Sequence, residues 1–526
     1  MRSDLITRLR HDLDRSLFTV ARLTGAGAWG ATGGAALFRG ERIAARRALA
    51  SRRPASPEER ASDTLALLFV LGYPQPAEDV AAALPTLGLD GAEELALLER
   101  TADTPVTVRP LVDLRPYSFV DSAGEAAWWI ASDLGELALQ GPLREDHVLG
   151  IGGASTTLSG LMIPRPVERA LDLGTGCGIQ AMHAARHARH VVATDISERA
   201  LDFARFNAEL NLIDGIEFRL GSLFEPVSGE RFDHIVSNPP FVITPRTEGV
   251  PSYEYRDGGM VGDALVATVV EQAAAHLTPG GVAQFLGNWE TGRGSKRGAY
   301  SVVDWVARGG ASDGAHDENA APVDIWVVER EMQDPATYAE TWIRDGGTRP
   351  GTADFERLYE AWLDDFEARG VSEVGFGYIT LRRAQDPATH PAQTIERLAG
   401  ALGGNDTGLG SHVLECLDAQ DALRSLSDGE LLLQTLRVAG DVTEERHYWP
   451  GNDDPTVITL RQGGGFARTV ESGTALSALV GACDGDLSVG AIVGALAQLL
   501  DVPEDDLLAE LVPRVRELVR CAILRL

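Results

Sequence analysis

Leu171-Asp172-Leu173-Gly174-Thr175-Gly176-Cys177-Gly178-Ile179 is the stretch from which the rest of the chain can be read. Residues 170–173 form a short apolar run suited to a buried strand. Glycines at 174, 176 and 178 then alternate with small residues, and a helical pattern starts near Gln180. Glycine has no Cβ, so such a turn can be tight and can let a ligand approach the backbone. A second apolar run, 191–194, leads into Asp195. A carboxylate at the tip of that strand can accept hydrogen bonds from ribose hydroxyls.

Outward from this point, apolar runs at 216–219, 234–236, 281–286, 325–328 and 376–381 alternate with helical stretches. Strands alternating with helices predict a doubly wound, mainly parallel, Rossmann-like α/β sheet with right-handed crossovers. A helical insert is expected at about 334–370, between the last two strands. The expected domains are a helical one at 1–145, the α/β domain at 146–385 and an α+β unit at 386–526. In the first, Leu5, Leu9, Leu13 and Leu17 recur at helical spacing. In the last, strands are expected at 431–433 and 457–460, before two helices and a final strand.

Glycine spacing separates two cofactor classes. Asp-x-Gly-x-Gly-x-Gly differs from the Gly-x-Gly-x-x-Gly of nicotinamide-binding loops. An acid before the first glycine suits the cationic, amine-bearing methionine end of S-adenosylmethionine. A second motif, Ser237-Asn238-Pro239-Pro240-Phe241, follows the strand that ends at Val236. Proline fixes φ and removes a backbone donor, so this loop is stiff. It can present the Asn238 amide and free carbonyls to a planar NH2 group, and Phe241 can stack on a flat substrate.

In this order the two motifs resemble the HemK-like and small-domain methyltransferases. That group includes release-factor glutamine N-methyltransferases and ribosomal RNA guanine N2-methyltransferases. The resemblance spans roughly residues 146–385. It implies that Asp172, Gly174, Thr175, Gly176, Gly178, Asp195 and Ile196 bind S-adenosylmethionine. Ser222 and Leu223 would flank the adenine, although the family often has an acid where Ser222 stands. Asn238, Pro239, Pro240 and Phe241 would hold the methyl acceptor. The glutamine enzymes usually carry Tyr after the prolines, and Phe241 tilts acceptor choice toward a base.

Other residues are candidates for the rim. Residues 153–157 should reach the cofactor edge. Tyr255 and Arg256 can clamp a substrate, or Arg256 can pair with Asp257 to fix the loop. Trp289 is either a rim residue or core. Trp128 and Trp129 are either core aromatics or a stacking platform for a base. His183, His187 and His190 are expected on one helix, where no carboxylate or Cys completes a metal set. Cys177, Cys416, Cys483 and Cys521 form no CxxC pair. No metal site is expected.

Net charge is −30, against a broad nucleic-acid footprint, yet residues 1–60 carry a net +6. With no apolar run of membrane-spanning length and no signal segment, a cytoplasmic protein without membrane contact is expected. Val470 to Leu476 and Cys483 to Val489, with helices at about 489–500 and 503–520, are similar to PqqD-type winged helices. Those domains hold leader peptides. The expected activity is N-methylation of a protein or peptide, on a glutamine-like side chain. Alternatives are an RNA base, guanine N2 or adenine N6, and carboxylate O-methylation of a ribosomally made peptide.

Overall fold

Strand positions follow from the apolar runs. The computed structural model describes residues 2–24, 28–39, 41–52, 54, 56–102, 104–139, 143–247, 249–250, 256, 258–294, 297–312 and 322–526. The central sheet has eight strands: β1 (Val167–Leu173), β2 (Ala188–Asp195), β3 (Ile216–Leu220), β4 (Phe232–Ser237), β5 (Leu277–Gly292), β6 (Val323–Gln333), β7 (Val371–Arg383) and β8 (Gln393–Arg397). Their order is β8-β6-β7-β5-β4-β1-β2-β3. All neighbours are parallel except β7, which runs antiparallel to both β5 and β6. The mainly parallel α/β fold expected from the alternating pattern is therefore observed.

Helices cover the sheet: α1 (Gly153–Leu161), α2 (Ile179–Ala184), α3 (Glu198–Leu210), α4 (Ala264–Ala273) and α5 (Ser301–Ser312). The insert between β6 and β7 is a helix pair, α6 (Pro335–Asp345) and α7 (Ala353–Arg369). Asp334 caps α6 by accepting from Ala336 and Thr337 N–H, with Pro335 in the first turn, and Thr352 caps α7. Leu171, Val192, Ile235, Phe285 and Ile379 are fully buried in one apolar cluster across the sheet.

This topology places the site. β1 lies between β4 and β2, so the chain leaves β1 for one side and later returns on the other. In doubly wound sheets the crevice at that reversal, outside the carboxyl ends of the strands, is where ligands sit. Leu173 pairs with Thr194, and Asp172 pairs with Val236. The glycine loop, Asp195 and the Asn238 loop therefore emerge side by side.

By contacts the chain forms two compact units. One comprises residues 1–119, 125–159 and 166–397, and the other 120–124, 160–165 and 398–526. Residues 386–397, read with the C-terminal unit from sequence, supply edge strand β8, which pairs with β6. The N-terminal region is helical from Ser3–Arg15 to Gly88–Glu94, but strands Thr107–Pro110, Val112–Asp121 and Gly124–Asp133 follow. Leu5, Leu9 and Leu13 are buried as expected. Leu17 is 53% exposed, because the helix stops at Arg15 and Leu17 takes a positive φ of 52°.

The C-terminal unit carries two three-stranded antiparallel sheets. Helices Thr474–Gly481, Val489–Leu500 and Glu504–Arg520 pack on one apolar core with Leu436, Leu460 and Leu524. Residues 431–433, expected as a strand, instead end the helix Asp428–Leu432. A capping box explains the difference: Ser427 Oγ accepts from Glu430 N–H, and the Glu430 carboxylate accepts from Ser427 N–H. Among the described residues, no helix is long and apolar enough to cross a membrane.

Candidate active site

A cavity of about 250 Å³ opens at the carboxyl ends of β1, β2 and β4. Its floor is the glycine loop. Gly174 and Gly176 have φ of +73° and +54°, and no described atom lies within 4 Å of where a Cβ would stand. These two positions thus leave open space against bare backbone. Gly178 does not line the cavity. Its φ is +88°, and a Cβ there would stand 2.9 Å from Ala204 Cα on α3, so this glycine serves helix packing.

Asp195 ties the floor to the wall. Its Oδ2 accepts from Gly176 N–H and its Oδ1 from Ser197 N–H, each at 2.9 Å. Burial pushes its pKa up, while the Ser197, Gly176 and Ile196 amides pull it down. Ile196, Ser222 and Leu223 continue the wall. Asp172, expected as a direct ligand, is fully buried behind the loop and does not line the cavity. Its Oδ2 accepts from Thr175 Oγ1 at 2.6 Å, while its Oδ1 is buried and accepts no hydrogen bond from a described residue. Burial raises its pKa to about 7, against the pull of the Thr175 hydroxyl and a backbone amide. Asp172 shapes the loop through Thr175, which does line the cavity.

Beside the glycine loop stands the Asn238 loop. Ser237 Oγ donates to Leu173 O at 2.6 Å, locking this loop to the start of the glycine loop. Asn238, Pro239 and Pro240 line the cavity, and Asn238 Oδ1 is buried without a partner among the described residues. Phe241 does not line it. Its ring lies 5.4 Å from Phe376 and 6.2 Å from Trp342, half-buried against the insert. Free stacking on a flat substrate is not the arrangement seen.

Trp289 is core: it is fully buried and its Nε1 donates to Glu329 Oε2 at 2.9 Å. Arg256 is buried, donates to Trp342 O at 3.1 Å and sits 3.7 Å from Asp345. Tyr255 lies outside the described residues. Trp128 packs against Tyr117, Phe119 and His183, and Trp129 Nε1 donates to Phe18 O. The expected histidine helix does not form. α2 ends at Ala184 and β2 begins at Ala188, so His183, His187 and His190 fall on helix, turn and strand. Cys177 is buried, which pushes its thiol up to about 12.

Sequence reasoning missed a third wall, residues 146–150. Asp133 holds it by accepting from Val148 N–H at 2.8 Å while it pairs with Arg199 on α3. Burial pulls the pKa of His147 in this segment down, favouring the neutral ring. Of residues 153–157, expected at the cofactor edge, Ser155 lines the cavity, and its carbonyl accepts at 2.8 Å from Nε2 of Gln180, a lining residue that no sequence motif marked.

Residues 153–296 match the methyltransferase small domain family. Residues 15–111 match a family described as a domain of unknown function (DUF7059). The ribosomal protein uL3 glutamine methyltransferase of Bradyrhizobium diazoefficiens is 36% identical over 151 residues, 27% of this chain and 46% of that enzyme. The release factor glutamine methyltransferase of Yersinia pestis is 40% identical over 171 residues, 28% of this chain and 60% of that enzyme. That of Xylella fastidiosa Temecula1 is 40% identical over 134 residues, 24% of this chain and 48% of that enzyme. The chain thus spans about half the length of the curated relatives it matches.

Proposed function

We propose that this protein is an S-adenosylmethionine-dependent methyltransferase whose acceptor is a side-chain amide nitrogen, glutamine-like, in a protein or peptide. The observation that carries the proposal is the shared cavity: Asn238, with a buried Oδ1 that has no partner among the described residues, lines it together with the open backbone of Gly174 and Gly176. The cofactor fits these residues. Bare glycine backbone leaves room for it, Asp195 offers carboxylate lone pairs at the wall, and Asp172 supplies a buried negative charge behind the loop when ionised. When bound, S-adenosylmethionine supplies a methyl group already activated by its sulfonium.

The protein's task is then alignment more than acid–base chemistry. An amide nitrogen is a poor nucleophile because its lone pair is delocalised. Asn238 Oδ1 accepts a hydrogen bond from the acceptor NH2, which orients that nitrogen. Hydrogen-bond acceptors aimed at it favour the partly positive, pyramidal nitrogen as its bond to the methyl carbon forms and that carbon's bond to sulfur breaks, and the nitrogen's surplus proton then passes to solvent. Pro239 and Pro240 hold Asn238 rigidly enough for this, and the apolar side chains Met260, Leu265 and Val269 limit water in the cavity. Residues 146–397, which include edge strand β8, serve as the catalytic domain in this proposal. Residues 398–526 serve as a winged-helix-like, PqqD-type carrier for the peptide, a choice that the acidic side chains Asp484, Asp486, Asp501 and Glu504 support.

The test is Asn238→Ala. Calorimetric affinity for S-adenosylmethionine should stay at the wild-type value while label transfer to protein in a cell extract falls by roughly a hundredfold or more, as for loss of a preorganised polar group. Wild-type turnover in the variant would reduce the loop to a simple turn.

A further inference from the structure

The insert α6–α7 lies outside the residues that match the methyltransferase family, yet it meets the Asn238 loop repeatedly. Tyr338 on α6 is central. Its hydroxyl oxygen accepts from Ile243 N–H at 3.0 Å and from Asn288 Nδ2, at the end of β5, at 2.6 Å. Val242 N–H donates to Arg256 O at 2.9 Å, and Arg256 in turn donates to Trp342 O on α6. From α7, Arg357 donates to Gly249 O at 2.7 Å. Val242, Ile243 and Val250 share one apolar cluster with Tyr338, Trp362 and Phe366.

Chain chemistry explains why the loop needs this. β4 ends at Ser237, and the two prolines that follow Asn238 offer no N–H to any neighbour. Among the described residues no sheet ladder continues past that point, so the loop's path must be imposed from beyond the sheet. The Val242 and Ile243 amides, just past the prolines, are held by Arg256 and Tyr338.

We infer that the α6–α7 insert is the brace of the Asn238 loop, and that Tyr338 is a positioning residue that fixes where the Asn238 amide stands in the cavity. This rests on the proposed function only for what the loop does, not for how it is held. A helix pair that merely covered the sheet would bury the Tyr338 ring equally well and could use its hydroxyl for Asn288 on β5, but it would have no use for the bond to the Ile243 amide.

Tyr338→Phe separates the two roles, because the ring stays and the oxygen goes. Phe366→Leu is the control, because Phe366 contacts the Tyr338 ring at 5.9 Å in the same cluster without bonding the loop. The readouts on the full chain are amide hydrogen exchange by mass spectrometry, calorimetric affinity for S-adenosylmethionine, and label transfer to cell-extract protein. In Tyr338→Phe, exchange over residues 241–244 should rise roughly tenfold, the worth of one buried hydrogen bond. Exchange in the glycine loop and cofactor affinity should stay unchanged, and kcat should fall by roughly ten- to a hundredfold at constant KM for the cofactor. Phe366→Leu should leave the 241–244 exchange at the wild-type value relative to the rest of the domain. Unchanged exchange at 241–244 in Tyr338→Phe, or an equal rise there in Phe366→Leu, overturns the brace. If Tyr338→Phe loosens the loop while Asn238→Ala keeps full turnover, the brace stands and the acceptor role of the loop is what fails.

Discussion

Asp172 offers a quantitative test of how the glycine loop meets a cation. Its carboxyl is fully buried and its pKa is raised to about 7, chiefly by desolvation. A raised value means that the folded protein favours the neutral acid. A cationic ligand at the loop favours the anion, so binding and proton release are linked. At that pKa the group is ionised in roughly one molecule in eleven at pH 6 and roughly ten in eleven at pH 8. If the cofactor binds the ionised form, its affinity should tighten about tenfold from pH 6 to pH 8, about 1.4 kcal/mol. Calorimetry in two buffers of different ionisation enthalpy should also show about one proton released per cofactor at pH 6. Asp172→Asn keeps an oxygen for the Thr175 hydroxyl and removes the titration. Its affinity should therefore be nearly flat over the same range, and weaker than wild type at pH 8. A pH-independent wild-type affinity, or the same slope in Asp172→Asn, would show that ionisation of Asp172 is not linked to cofactor binding. The second result would move the titration to Asp195, whose pKa burial also raises.

Gly178→Ala should destabilise the α/β domain by about 2–4 kcal/mol, because a left-handed φ and a contact against Ala204 add. A melting temperature within a degree of wild type would contradict the packing role. Gly174→Val and Asp195→Ala should each weaken S-adenosylmethionine binding at least tenfold with the fold retained. For Asp195→Ala this is because the carboxylate both faces the cavity and holds Gly176 N–H. Near wild-type affinity in both variants would remove the cofactor from this loop.

The two loops were legible because each is local. Strand, glycines and helix lie within a dozen residues, and paired prolines stiffen a loop wherever they occur. What the side chains touch was less legible. Asp172 read as a ligand because it precedes the glycines, but it is buried behind the loop and reaches Thr175 instead. Phe241 and Trp289 face partners from α6, β6 and β7, far along the chain. The wall at 146–150 hangs on Asp133 and Arg199, 66 residues apart and part of no motif. Some errors had signals in plain sight. Ser427-x-x-Glu430 is a helix start, and it sat just before the apolar run read as a strand. Tyr117 and Phe119 before Gly124, and the aromatic and β-branched run Trp128-Trp129-Ile130 after it, mark the strands that the helical reading of residues 1–145 passed over.

Methyl transfer from S-adenosylmethionine to a protein amide can be followed through the fate of the label. The full chain is incubated with methyl-labelled S-adenosylmethionine and cell extract at low and moderate salt, and the product is divided between protease and ribonuclease. Label should be released by protease and recovered on hydrolysis as methylamine from a glutamine side chain. Transfer should fall little as salt rises, since few phosphates are neutralised. Label released by ribonuclease, with transfer collapsing at moderate salt, would show that the acceptor is RNA and not a protein amide.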